Sequence, residues 1–226
     1  MQRIRKLNID YGNVNVLDIG SGTGFYVRLW KDLGVIRITG TDITMVAVEN
    51  LRSMYPSNEF LQLDIGDEAG YKTLQNKFDI ISAFDVLFHI VDDSRYNNAI
   101  KNIFSLLKPG GLFIFSDNFL HQDSLRSARQ VSRSLSVIQK ALRENNFEVI
   151  LRRPMFVLMN APIDTNRSVL KLMWRTITSL VRHSDRMAYL VGNILYPIEL
   201  LLVSVITESP STEMMICKSI QSSVSR

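Results

Sequence analysis

The stretch Val14 to Val27 constrains this chain more than any other. Val14, Val16, Leu17 and Ile19 form a short apolar run with strong strand propensity. Gly20, Gly22 and Gly24 follow at alternate positions. A helical pattern comes next, with Phe25, Leu29 and Leu33 at four-residue spacing and Gly34 as its stop. A strand that turns through glycines into a helix sets backbone N–H groups and a helix N-terminus beside one small space. Side chains in that turn would block the close approach of a ligand, and any position at positive φ would strain them.

The spacing separates two ligand classes. A dinucleotide fingerprint, Gly-x-Gly-x-x-Gly, would place its third glycine on Phe25. What stands instead is Asp18-x-Gly20-x-Gly22-x-Gly24. This resembles the first motif of the class I S-adenosylmethionine-dependent methyltransferases. In that family the loop wraps the methionine part of the cofactor, and its acidic residue helps to hold the amino end. Taken alone, the loop is also compatible with a glycine-rich turn in some other α/β protein.

Strand and helix signals alternate as far as about Phe147. Val35 to Gly40 reads as strand two, ending at Thr41-Asp42, and Met45 to Met54 as a helix stopped before Pro56. Glu59 to Leu63 is strand three, ending at Asp64, and Phe78 to Phe84 is strand four, ending at Asp85. Tyr96, Ile100, Ile103, Phe104 and Leu107 share a helical face. Lys108-Pro109-Gly110-Gly111 breaks that helix, and Leu112 to Phe115 is strand five. The pattern predicts a parallel sheet covered by helices. Ligands bind such sheets beyond the carboxyl ends of the strands, where strand order reverses. Asp18, Asp42 and Asp64 fall at those ends. Asp42 lies about 20 residues after the loop, where a carboxylate accepts hydrogen bonds from ribose hydroxyls. Asp64 is placed to meet an adenine amino group. Each alone also reads as a loop or N-cap carboxylate.

Two further segments extend the resemblance. Phe78 to Asp93 looks like the fourth methyltransferase motif, and Leu106 to Phe115 is similar to the family's turn into strand five. The match covers about residues 14 to 117. It implies a Rossmann-like, seven-stranded, mostly parallel α/β sheet with helices on both faces and the last strand inserted antiparallel beside strand five. Phe147 to Leu151, running on towards Leu158, would be strand six, and Glu213 to Lys218 strand seven. The resemblance implies S-adenosyl-L-methionine as cofactor and S-adenosyl-L-homocysteine as product. It assigns cofactor contacts to Asp18, Gly20, Ser21, Gly22, Gly24 and Phe25, to Asp42 and Ile43, to Asp64 and Ile65, and to Phe84 and Asp85.

The chain departs from the family's usual shape in two places. The first strand starts almost at once, so the helices that often precede it are missing or very short; either the chain is a fragment or its cover comes from elsewhere. Residues 160–211, about 50 in all, form an unusually long stretch between the last two strands. Its helical pattern includes Val169, Leu172, Met173, Ile177 and Leu180. The expectation is one domain, with residues 14–159 and 212–220 as its core and 160–211 as a helical insert that closes the pocket and shapes substrate choice.

A chain of 226 residues is enough for one such domain with a sizeable core. Its net charge of +4 is spread along the sequence, so no nucleic-acid partner is expected. Cys217 is the single cysteine, which excludes an internal disulfide and fits a reducing, cytoplasmic compartment. The basic N-terminus lacks a following apolar run and is not a secretory signal. Ala188 to Ile206 is the most apolar window, but Gly192, Asn193, Pro197 and Glu199 interrupt it, so no membrane span is expected.

Methyl transfer from a sulfonium needs the acceptor aligned, water excluded and, for a hydroxyl, a proton removed. His89, four residues after Asp85, is the first candidate base; His121, after strand five, is the second. Both also read as packing or loop histidines, and His183 as a solvated one. Arg126, Arg129 and Arg133 fall at helical spacing, as a solvated face or an anion clamp, and Ser136 with Gln139 suits a capping box. No metal constellation is visible. Asp85-Val86-Leu87-Phe88 lacks the prolines of the base- and amide-methylating enzymes. A small-molecule or glycan hydroxyl is therefore the favoured acceptor. An amine or carbon acceptor, a non-catalytic cofactor-binding subunit and a nucleotide-dependent oxidoreductase are the alternatives.

Overall fold

A computed structural model describes residues 2–68, 70–74 and 77–220. In chain order its elements are α1 (Gln2–Arg5), β1 (Asn15–Ile19), α2 (Phe25–Asp32), β2 (Arg37–Asp42), α3 (Met45–Met54), β3 (Glu59–Gln62), β4 (Phe78–Ala83), α4 (Asp93–Leu106) and β5 (Leu107–Asp117). There follow β6 (Leu125–Arg126), β7 (Val131–Ser132), α5 (Leu135–Glu144), β8 (Phe147–Pro154), α6 (Ser168–Val181), α7 (Asp185–Val205) and β9 (Glu213–Ser219). The main sheet has seven strands in the order β3-β2-β1-β4-β5-β9-β8. β9 runs antiparallel between β5 and β8, and the remaining pairings are parallel. The chain leaves β1 towards β2 and β3 on one side, then returns to place β4 on the other. The strand order therefore reverses between β1 and β4, which opens a crevice at their carboxyl ends.

Period-two alternation builds two apolar layers. Val16, Ile80 and Ile114 face α2 and α3 and pack with Val27, Trp30, Val48 and Leu51. Their neighbours Leu17, Ile81 and Phe113 face the opposite way, with Tyr96, Ile100 and Ile103 of α4 and Ile138 and Leu142 of α5. Burial on both faces is why the central strands read as continuous apolar runs.

Three local readings are corrected. β5 pairs from Leu107 rather than Leu112, because Lys108-Pro109-Gly110-Gly111 loops out as a bulge inside the strand. Leu107 opposite Phe78 and Leu112 opposite Ile80 both keep their ladder positions, and Gly110 takes the turn at φ +74°. The cap of α5 is Ser134, whose hydroxyl accepts from the Val137 amide; Ser136 lies inside the helix. Arg126, Arg129 and Arg133 lie on and beside the β6–β7 hairpin, not on a helix. Arg133 is buried, stacks 3.9 Å from the Tyr96 ring centroid and bridges to Asp93 at 2.8 Å. Arg126 pairs with the same carboxylate, so the two arginines tie the hairpin to the first turn of α4.

The insert folds as the helical pair α6–α7. α7 is long and apolar enough, by length and composition, to cross a membrane. It is pinned, however: the buried Glu199 carboxylate accepts the amide of Val157 and, at 2.8 Å, that of Leu158, just beyond β8.

Candidate active site

β1 delivers the chain into the glycine turn, whose geometry leaves no room for a side chain at Gly20 or Gly24. Gly20 has φ +68°, and a Cβ there would stand 2.3 Å from Val86 Cγ2. Gly24 caps α2 at φ +80°, where a Cβ would stand 2.9 Å from Leu51. The loop is fastened to the end of β2. Ser21 N donates to the Thr41 carbonyl at 2.9 Å, and Gly22 N donates to Asp42 Oδ2 at 3.0 Å. Asp42 Oδ1 accepts from the amide and hydroxyl of Thr44, at 2.9 and 2.8 Å. Carboxylate oxygens carry about two lone pairs each, so Asp42 retains acceptor capacity towards the crevice.

The crevice beyond β1, β2, β3 and β4 has a volume of about 500 Å³. Of the residues expected there from sequence, it brings together Gly20, Asp42, Ile43, Asp64, Ile65, Asp85 and His89. Ile19, Leu63, Val86, Ile90 and Val91 complete apolar walls, and Asp92 and Arg95 close the rim. Arg95 bridges to Asp64 at 2.6 Å and to Asp67 at 2.9 Å, and the pairing with Asp64 raises its pKa. Apolar walls with acidic corners suit a nucleoside whose ring needs dry surface, whose hydroxyls need acceptors and whose sulfonium needs negative charge. The site residues therefore fit S-adenosylmethionine.

The other expected residues stand elsewhere. Asp18 sits beneath the loop rather than on the crevice wall. Strand alternation turns it to the side of Trp30, where Trp30 Nε1 donates to Ser82 Oγ at 3.0 Å and Ser82 Oγ donates to Asp18 Oδ1 at 2.6 Å. Burial pushes its carboxyl up to about 6, against the opposing pull of the Ser82 and Ser21 hydrogen bonds. Ser21, Gly22 and Gly24 shape the loop without lining the crevice. Phe25 and Phe84 line a separate cavity of about 360 Å³, in which Tyr26 stacks on Phe84 at 4.2 Å.

A second cavity of about 440 Å³ lies beyond β4 and β5, lined by Asp85, Phe88, Asn118, Arg126, Gln130, Phe156, Asn160 and Thr212 among others. Asp85 borders both spaces. It is a non-glycine residue at φ +59°, a conformation that costs about 1–2 kcal/mol. The buried Ser116 holds it there: Asp85 N donates to Ser116 Oγ at 2.7 Å, and Ser116 Oγ donates to Asp85 Oδ1 at 2.9 Å. Backbone strain stabilised by neighbours is a common feature of reacting sites.

The two candidate bases separate. His89 is on the crevice wall, with Nδ1 3.4 Å from the Arg129 carbonyl. His121 borders neither of these two spaces. Its Nδ1 meets Asp164 at 2.5 Å and its Nε2 lies 3.5 Å from Glu208, so carboxylates from both ends of the insert turn it away. Little in the sequence marks Asp117, which ends β5 wholly buried with Oδ2 unpartnered. Burial pushes its carboxyl up to about 7. The run Ser116-Asp117-Asn118 at a strand end was its only signal. Phe88, Asn118 and Asn160 are likewise unmarked in the sequence, because they converge from three separate loops.

Residues 16–111 match a family model described as a methyltransferase domain. A ribosomal protein L11 methyltransferase of Lactobacillus gasseri is 29% identical over 144 residues, 62% of this chain and 38% of that protein. This chain thus spans well under half the length of that curated relative. The Haloferax volcanii protein solved with the Trm112 methyltransferase activator superposes with a TM-score of 0.61 at 16% identity, covering 97% of this chain and 87% of that one. The N-methyltransferase NodS of Bradyrhizobium japonicum, solved with S-adenosyl-L-homocysteine, gives a TM-score of 0.54 at 16% identity, covering 92% and 79%. Both structures share the fold.

Proposed function

We propose, from the premise that this chain belongs to the S-adenosylmethionine-dependent methyltransferases, that it moves a methyl group to the hydroxyl of a small molecule or glycan. S-adenosylmethionine, when bound, supplies a methyl group already activated by its sulfonium. The chain's own residues do the rest. Asp42 accepts from the ribose hydroxyls, Ile43, Ile65 and Val91 flank the base, and Asp64 faces its amino group. The acceptor occupies the second cavity, and residues 160–211 help to shut it, since Asn160 lies on its wall.

The single observation that carries this reading is that Asp85 borders both spaces. A hydroxyl acceptor needs somewhere to send its proton, and the Asp85 carboxylate, which Tyr26 also meets, stands at that junction with Oδ2 as the oxygen not held by Ser116. Ser116 fixes the other carboxyl oxygen and so aims this one. His89, the base favoured by sequence, borders the cofactor side alone. It is assigned the adjoining wall.

The test is incubation with labelled S-adenosylmethionine and a panel of sugars, phenols and lipids, read by mass spectrometry. A methylated hydroxyl product is expected. Asp85→Asn should lower turnover by about 10²- to 10⁴-fold with S-adenosylhomocysteine affinity retained, and His89→Ala should leave turnover within a few-fold. Cofactor binding without turnover on any acceptor would favour a non-catalytic subunit. Binding of NAD with none of S-adenosylhomocysteine would overturn the reading.

A further inference from the structure

The α6–α7 pair carries an apolar surface that the fold does not use. On α6, Leu170, Met173 and Ile177 are half-buried, a stripe left for packing between the helices. A second stripe, Val169, Leu172 and Leu180, is open to solvent, with Val169 76% and Leu172 65% exposed. A third, Arg167, Lys171 and Arg175, follows at four-residue spacing beside it, and all three side chains are exposed. On α7, Leu190, Ile194, Leu201 and Val205 repeat at helical spacing and are likewise exposed. Arg182 and Arg186 flank the turn between the helices, where Asp185 is the acidic exception.

An apolar stripe bordered by arginine and lysine is the pattern of a helix that lies in the plane of a bilayer surface. The alternatives fit less well. A symmetric second copy would set this patch against itself and bring like charges together. A membrane-crossing α7 would have to extract Glu199 from the Val157 and Leu158 amides, which fasten mid-helix to the end of β8. Tyr189 and Tyr196, both exposed, add side chains with an apolar body and a polar tip, suited to the headgroup boundary.

We propose that the α6–α7 pair docks this protein flat on an anionic lipid surface, with Val169, Leu172, Ile194 and Leu201 entering the interface and Arg167, Lys171 and Arg175 meeting the headgroups. The inference is independent of the acceptor and of catalysis. Attraction adds to burial here, so binding should fall with added salt.

The experiment is flotation of the whole chain with vesicles of phosphatidylcholine alone, or of phosphatidylcholine and phosphatidylglycerol in equal parts. The expected result is binding to the anionic vesicles and little to the neutral ones. The triple variant Arg167→Glu, Lys171→Glu, Arg175→Glu should lower partitioning about a hundredfold or more. The pair Leu172→Asp, Leu201→Asp should do so independently. Circular dichroism shows whether each variant folds. A second readout uses Leu172→Trp: brominated lipid in anionic vesicles should quench a tryptophan at that exposed position and spare Trp30, which is wholly buried in the core. The proposal is overturned by absence of flotation and quenching, by flotation that folded variants retain, or by a dimer or a captured acidic protein that uses this face without vesicle binding.

Discussion

Residues 15–117 and residues 160–211 both carry apolar side chains at regular helical spacing but treat them in opposite ways. In the first region, alternate residues of β1, β4 and β5 enter one of two layers, and each layer is closed by helices. In the second, α6 has no fully buried residue, and the one buried side chain of α7 is the carboxylate of Glu199. The sheet consumes its own hydrophobic surface; the insert keeps its surface available. One carboxylate that satisfies two backbone amides, with Arg3 donating to the Val203 carbonyl at 2.6 Å, holds a helix whose packing leaves much apolar surface exposed. The contrast assigns small-molecule binding to the first region and contact with a larger surface to the second.

Glycine substitutions break that contrast most sharply. Gly20→Val puts a branched side chain where a Cβ alone would stand 2.3 Å from Val86. S-adenosylhomocysteine affinity, measured by calorimetry, should fall by more than about 100-fold, equivalent to about 2.7 kcal/mol. Next in size is Glu199→Ala, which strands the amides of Val157 and Leu158. A loss of about 2–4 kcal/mol is expected. It should show as faster hydrogen exchange across 157–158 and 185–205, with cofactor affinity unchanged. If affinity falls as well, the two regions are coupled and the contrast is too strict.

Asp117→Asn gives a smaller effect with a pH signature. Burial raises the Asp117 carboxyl to about 7, above its ordinary value of 3.8. Protonation therefore favours the folded state, and that favourable contribution is lost as pH rises through 7. The variant should match wild type near pH 4 and exceed it by a margin that grows as pH rises to about 7 and is constant above that, read from melting curves. Smallest is Gly192→Ala in α7, where an added Cβ meets nothing within 4 Å. It should stabilise by about 0.5–1 kcal/mol through helix propensity alone.

Much of the sheet was legible in the sequence because both faces of its central strands are buried and the five parallel strands end at, or within two residues of, a carboxylate or glycine. The bounds of α3 agree residue for residue, and β9 enters where the resemblance placed it. What was not legible depended on partners distant in sequence. Arg133 reads as a helical surface residue until Asp93 and Tyr96 supply its burial. Asp18 shares the motif of the loop, but strand alternation sends its side chain to Ser82. His121 lies at a strand end like the true wall residues, and only the return of Asp164 and Glu208 turns it away. Residues that meet their partners through local periodicity were readable; those that meet them through long loops were not.

Hydrogen exchange of the whole chain with and without S-adenosylhomocysteine tests the central claim most directly. Slower exchange is expected at residues 20–24, 42–44, 64–66 and 85–92, with residues 168–205 unchanged. Protection confined to the insert, or no protection anywhere at saturating ligand, would contradict a cofactor crevice at the ends of β1 to β4.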